Sequence, residues 1–358
     1  MSGGPEPREF RQRLLGWFDE NARDLPWRRS RDPYAIWVSE IMLQQTRVAA
    51  VLEHYSRFME RFPTLESLAA ASEDEVLAHW SGLGYYRRAR LLHKAAQFVA
   101  KKLGGRLPST AVELRALPGV GEYTCAAVAS IGFGEAVACV DGNVERVLRR
   151  IRGWDEGHGT AAKVRAEAAR LLDAQRAGDF NQAMMELGAT RCLPRGPLCD
   201  GCSVREMCET RGEHSRGERK KMRSKESAYV FMRRSPKNRD AEVLLERRLS
   251  RAALMPGMWE LPAIDPPDAP EAKKALTVRH SITDTNYYVS IYEVGSKRRK
   301  DLPKRRTLRR WFPLGELNTV PLTGLTRKVL KRLRAWPGYD GAGPTAIVAG
   351  TESEALVP

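Results

Sequence analysis

The sequence predicts an all-α amino-terminal half followed by a smaller, mixed α/β domain. Apolar residues recur at helical spacing, between Pro and Gly breaks, from Glu6 to about Arg211, and no comparable β alternation interrupts them. Arg211–Lys225 then holds seven Lys or Arg and two Glu with almost no apolar residue, the composition of an exposed linker. Past it the pattern changes to short β-rich runs. A chain of 358 residues suits two or three domains at about 150 residues each.

Taken in order, Phe10, Leu14, Trp17 and Phe18 fall at i, i+4, i+7 and i+8 and give the first helix an apolar face. Similar stripes follow at Val48–Phe58, Val76–Trp80, Leu91–Val99, Val144–Ile151 and Val164–Leu172. Beyond the linker, Ala228–Met232, Glu242–Glu246 and Tyr287–Val294 read as strands, and Leu325–Leu333 as a closing helix. Lys297–Arg310 carries nine basic residues against one acid and reads as a loop facing phosphate, or a solvated one. The expected boundaries are a helical domain at 1–213, a basic linker at 214–226, the α/β domain at 227–335, and a Gly/Ala/Pro-rich, disordered tail at 336–358.

Charge narrows the partners. Sixty Lys and Arg against 44 Asp and Glu give +16 and a pI near 9.8, which suits nucleic acid or an anionic membrane surface. No run of 18 uncharged apolar residues exists to cross a membrane. The segment MSGGPEPREF lacks the apolar stretch of a secretory signal, so a cytoplasmic protein is expected.

Six cysteines are unevenly placed. Cys125 and Cys139 lie singly in apolar surroundings and read as small core residues. Cys192, Cys199, Cys202 and Cys208 follow the spacing C-x6-C-x2-C-x5-C. Four thiolates so close can converge on one soft metal centre, zinc or an iron–sulfur cluster. A zinc ribbon usually carries two C-x2-C knuckles and this stretch has one, which favours the cluster.

Three further features bear on chemistry. In Leu117-Pro-Gly-Val-Gly-Glu-Tyr-Thr124, Gly119, Val120 and Gly121 form a tight hairpin whose backbone N–H groups a phosphate can approach, at the positive end of the following helix. Glu40 sits on an apolar helical stripe with Ile36, Trp37 and Leu43, so desolvation should raise its pKa and let it act as a general acid. Asp141 and Asn143 precede the helix of Val144, Val147 and Leu148, where the helix dipole favours an ionised carboxylate. One acid kept neutral and one kept charged is how a site divides acid and anion roles.

Together with L-P-W-R (Leu25–Arg28), S-E-I-M-L-Q-Q-T (Ser39–Thr46), G-L-G-Y-Y (Gly82–Tyr86), V-D-G-N-V-x-R-V (Val140–Val147), F-N-Q-A-M-M-E-L-G (Phe180–Gly188) and the four cysteines, these features resemble the helix-hairpin-helix DNA glycosylases, and within them the MutY type, over about residues 8–210. The resemblance implies a six-helix lobe at about 22–132 and a cluster lobe from 1–21 and 133–213. It implies excision of adenine mispaired with 8-oxoguanine or guanine in double-stranded DNA, by a nucleoid-associated monomer holding a [4Fe-4S] cluster on Cys192, Cys199, Cys202 and Cys208. By the same resemblance Glu40 protonates adenine N7 and then serves the attacking water, while Asp141 stabilises the cationic sugar. Tyr123 and Asn143 support them, Arg28 and Gln182 contact the extruded adenine, and Gln45 and Tyr85 fill or wedge the duplex.

Two other functions compete. Endonuclease III-like enzymes nick the strand through a lysine at the Tyr123 position, and tyrosine cannot form an imine; Val-Asp-Gly-Asn also departs from their Val-Asp-Thr-His. A DNA-binding module without catalysis would be expected to lack an acid, yet Glu40 and Asp141 are both present. In the second domain Leu254–Pro262 resembles the L-x-G-x-W-E-x-P stretch of Nudix-like domains, without the glutamate-rich helix that binds Mg²⁺. The family's lesion-reading Phe-Ser-His corresponds here to His280-Ser281-Ile282, leaving Ser281 as the matching residue.

Overall fold

In the computed structural model, residues 4–154, 159–214, 222–237, 240–265, 274–282, 284–303 and 307–337 are described. The chain forms two compact units, Met1–Lys221 and Met222–Pro358.

The first unit is built from helices α1 (Pro7–Asn21), α2 (Pro33–Leu43), α3 (Val48–Arg61), α4 (Leu65–Ala70), α5 (Glu73–Trp80), α6 (Arg87–Lys102), α7 (Ala111–Leu114), α8 (Glu122–Phe133), α9 (Gly142–Ile151), α10 (Ala161–Leu171) and α11 (Ala177–Thr190). Their starts are written in the sequence. Asp32 caps α2 by accepting from Tyr34 N and Ala35 N, with Pro33 at the first helical position. Ser72 and Thr160 cap α5 and α10 in the same way. The left-handed Gly134 closes α8.

α2 is buried from Tyr34 through Met42 and is therefore apolar on nearly every side. It lies against α8, whose Ala126, Ala127 and Ala129 permit close approach; a Cβ on Gly132 would stand 3.1 Å from Pro33. A separate core joins Phe10 and Leu14 of α1 to Val147 and Leu148 of α9, Leu171 of α10 and Phe180 and Leu187 of α11. α1 thus packs with helices more than 120 residues later.

The second unit has strands β1 (Arg223–Phe231), β2 (Arg233–Arg234), β3 (Glu242–Arg247), β4 (Trp259–Glu260), β5 (Ala263–Ile264), β6 (Lys274–Ile282), β7 (Thr285–Glu293) and β8 (Arg309–Pro313), then helix α12 (Gly324–Arg332). One sheet runs β5-β1-β7-β6, with β1 parallel to β7 and the other pairs antiparallel. In the other, β3 pairs with β2, β4 and β8. Trp259, Phe312, Val289 and Val329 share one core.

Three sequence expectations need correction. β1 begins at Arg223, inside the stretch expected as linker: Arg223–Glu226 pair with Thr285–Tyr288 while their side chains stay exposed, so no apolar pattern betrays the strand. The basic segment 297–310 is not one loop, because Ser296–Asp301 forms a 3₁₀ turn and β8 starts at Arg309. Trp336, expected in the tail, packs against the second unit's core, with the Arg327 guanidinium 4.7 Å from its ring centroid. The expected linker's residues 215–221 and the tail from 338 onward lie outside the described residues.

Candidate active site

The two acids singled out from the sequence come together. Glu40, on α2, is 6% exposed. Burial pushes its carboxyl up to about 7; the Tyr123 hydroxyl pulls the other way, Asp141 adds to the rise, and the Arg28 charge opposes it. Tyr123, in the first turn of α8, donates to Glu40 Oε2 at 2.6 Å and lies 3.0 Å from Met185 Sδ. Its own phenol is held neutral, first by burial and then by the Glu40 charge.

Asp141 caps α9, its Oδ1 accepting from Val144 N at 2.7 Å. Its Oδ2 accepts from Asn143 Nδ2 at 2.9 Å, and Asn143 Oδ1 accepts from Arg146 at 2.8 Å. The aspartate is thereby fixed by its own helix and by a chain of oriented donors. Gly188 makes room for this: a Cβ there would stand 2.6 Å from Asn143 Cβ. A crevice of about 300 Å³ opens beside Tyr123, bordered by Ala138, Val140, Val164 and Arg165, a volume within the usual range of small-ligand pockets. A larger concavity of about 530 Å³ in the second unit is lined by Arg233, Arg234 and Lys237 and holds no pair of acids.

The hairpin before α8 is tight for steric reasons. Gly119 has φ +77, and a Cβ there would lie 2.5 Å from that of Leu91. Gly121 is extended, as the residue capping α8. Val120 differs from the expectation of a backbone contact: its side chain is buried and its N–H already bonds Leu117 O at 3.2 Å. Of the three, Gly119 is the exposed one.

Gln45 and Tyr85 both have positive φ, 55 and 45, a conformation that costs non-glycine residues energy and persists only when neighbours impose it. Arg88, which no motif or periodicity singles out, is the neighbour. Its guanidinium donates to the carbonyls of Ile41, Met42 and Gln44 and to Thr46 Oγ1, and lies 5.4 Å from the Tyr85 ring centroid. Burial lowers its pKa to about 10. One cation therefore bonds the residues on either side of Gln45 and lies against the ring of Tyr85, which stands 49% exposed.

Arg28 is less free than an adenine contact would be. Its Nη2 donates to Glu186 at 2.9 Å and its Nη1 to Arg23 O at 3.1 Å. Gln182, half-buried on α11, lies one turn before Glu186. Glu186 is a second residue that sequence reasoning misses; its place in F-N-Q-A-M-M-E-L-G is visible, its partners are not.

Cys192, Cys199, Cys202 and Cys208 are all free thiols and line one small cavity with Pro197, Leu198 and Arg150. Arg150 is buried; its Nη1 lies 3.4 Å from Cys192 Sγ, and its Nε is buried without a partner among the described residues. A buried guanidinium among four thiols suits an anionic centre held by thiolates. Among the described residues no group of three or more His, Cys, Asp or Glu is arranged to hold a metal ion.

In the second unit, His280, Ser281 and Ile282 end β6 in a hairpin with β7, where Ser281 is exposed and its Oγ donates to Asn286 at 2.6 Å.

Residues 38–174 match the family model described as HhH-GPD superfamily base excision DNA repair protein. The chain is 50% identical over 218 residues to the human adenine DNA glycosylase, covering 58% of this chain and 40% of that protein. It is 43% identical over 232 residues to the Arabidopsis thaliana adenine DNA glycosylase, covering 57% and 37%. The chain thus spans less than half the length of these curated relatives. A solved thermostable thymine-DNA glycosylase superposes with TM-score 0.54 at 32% identity, covering 57% of this chain and 96% of that one.

Proposed function

From a helical region that belongs to the helix-hairpin-helix superfamily of base excision DNA repair proteins, we propose that the protein is an adenine DNA glycosylase. It hydrolyses the N-glycosidic bond of adenine mispaired with 8-oxoguanine or guanine in double-stranded DNA. The observation that carries the reading is the buried Glu40, its carboxyl near 7, bonded to Tyr123 and within electrostatic reach of Asp141.

The chemistry follows from that arrangement. A base in the duplex must leave the stack before its sugar bond can be reached, and Tyr85 and Gln45, both in strained backbone beside Arg88, fill the gap. Protonated Glu40 gives its proton to adenine N7, so the base departs neutral with the bonding electron pair. The sugar left behind is cationic, and the Asp141 carboxylate opposite stabilises it. Glu40, now ionised, takes a proton from the water that attacks the sugar, and the acid is restored. Arg28 and Gln182 orient the adenine, and Asn143 keeps Asp141 aimed. The endonuclease III-like alternative needs an amine nucleophile where Tyr123 stands, so the enzyme is monofunctional.

A [4Fe-4S] cluster would be held by Cys192, Cys199, Cys202 and Cys208, with Arg150, 3.4 Å from Cys192 Sγ, offsetting its negative charge. Bound there, it would supply a fixed charge and a covalent tie for the loop of residues 192–208, beside the ends of α9 and α11. The second unit is a Nudix-like domain that reads the lesion, with Ser281 as a contact. The enzyme acts as a cytoplasmic, nucleoid-associated monomer.

The test is a duplex carrying adenine opposite 8-oxoguanine, incubated with iron-loaded protein and then treated with alkali. Strand breaks at the adenine, and none before alkali, support a monofunctional adenine glycosylase. An intact strand refutes the function, and breaks without alkali refute the monofunctional assignment.

A further inference from the structure

Beside the two acids lies a buried charge cluster with no direct part in breaking the glycosidic bond. Glu186, on α11, is 1% exposed at its side chain. It accepts from Arg23 Nε at 2.6 Å and Nη2 at 2.8 Å, and from Arg28 Nη2 at 2.9 Å. Burial alone would raise its pKa, but the two guanidinium groups bring it below the ordinary value. Arg28 is only 16% exposed and is braced by Arg23 O and by the Phe18 ring, whose centroid is 5.4 Å away.

Arg28 is also the cation whose charge bears on Glu40. The other groups facing Glu40 are Tyr123 from α8 and Cys139 and Asp141 from the segment before α9. Burial keeps the Cys139 thiol neutral, so among the described residues that bear on Glu40, Arg28 is the positive charge. A guanidinium paired directly with Glu40 would hold it ionised and remove the proton that the reaction needs.

We propose that Glu186 is a positioning residue: by engaging Arg28 it keeps that guanidinium from pairing with Glu40 and leaves the general acid free to carry its proton. The proposal deepens the glycosylase reading and rests on it for its consequence, though not for its electrostatics. Two physical routes predict the same sign for Glu186→Gln. If Arg28 stays in place, its charge is no longer offset. If it moves, a buried cation without a partner is costly, and Glu40 is a carboxylate on which its charge already bears. Either way Glu40 becomes easier to ionise.

The experiment is a carboxyl ¹³C NMR titration of Glu40 in the full-length, iron-loaded protein without DNA, assigned by loss of the signal in Glu40→Gln. Glu186→Gln should lower the Glu40 midpoint by at least about one unit, and Glu186→Asp by less in the same direction. The double variant Glu186→Gln/Arg28→Gln should bring the midpoint back to the parent value or above it, because the effect passes through Arg28. With the adenine substrate, the alkaline limb of kcat/KM should move with the midpoint, making Glu186→Gln about tenfold slower than the parent at pH 8. A merely structural role would lower activity without moving the limb. An unmoved or raised midpoint in Glu186→Gln overturns the proposal; should that variant not fold, an unmoved midpoint in Glu186→Asp does so. If the parent excises no adenine, the functional reading fails while the titration still decides the positioning role.

Discussion

The phenolic oxygen of Tyr123 stands 2.6 Å from Glu40 Oε2, within a site where Glu40 is 6% exposed. A neutral donor on a buried carboxyl opposes the rise that burial causes without adding charge. Glu40 can then hold its proton near neutrality and still release it.

Removing that hydroxyl should therefore move the reaction's pH dependence in a known direction. On the proposed mechanism Glu40 must be protonated to act, so activity should fall as pH rises through its pKa. In Tyr123→Phe the lowering contribution disappears, the pKa rises, and the alkaline limb of kcat/KM should move to higher pH. A limb that moves to lower pH would contradict this role.

Glu40→Gln should reduce excision by at least about 10²–10⁴-fold while mobility-shift assays show duplex binding retained. Stability should change oppositely to activity. Because burial raises Glu40 from 4.5 to about 7, the native state binds more protons than the unfolded chain in that window, and stability falls as pH rises through it. At pH 8 the Gln variant should be the more stable, by up to about 3 kcal/mol at ~1.4 per unit, whereas near pH 4 the gain should vanish. Calorimetry at both pH values checks it.

Arg88→Ala should cost about 2–4 kcal/mol of stability, since it leaves buried carbonyls of Ile41 and Met42 without their donor. The segment around Gln45 and the Tyr85 ring would also lose the cation packed beside them. Urea unfolding measures the first effect, and excision from duplex against single-stranded substrate the second. A variant as stable as the parent would show that Arg88 clamps nothing.

Gly119→Ala should destabilise by about 1–3 kcal/mol, because φ is +77 and Leu91 stands in the way of a Cβ. Affinity for duplex should fall with it if the hairpin approaches phosphate. Undiminished binding by the folded variant would remove the hairpin from the interface.

How much of this can be read from the sequence depends on range. The α2 stripe places Glu40 inside, and V-D-G-N-V places Asp141 at a helix start, because both rest on local spacing and capping. The pairings of Glu186 and Arg88 are invisible, since their partners lie 158 and 42–47 residues away and no periodicity encodes such pairs. The first residues of β1 escape notice because Arg223–Glu226 are strand by backbone pairing and polar by side chain. The short β4 and β5, two residues each, offer too few positions for any pattern. Val120 reads as a phosphate contact from its motif, yet the same turn that shapes the hairpin occupies its amide.

The most direct measurement is the pH profile of kcat/KM for adenine excision opposite 8-oxoguanine. With Glu40 near 7 as the proton donor, activity should be sustained below that pH and fall about tenfold for each unit above it. Activity that instead climbs through pH 7 would mean that Glu40 works only as a base, and that no protonated acid at this site cleaves the bond.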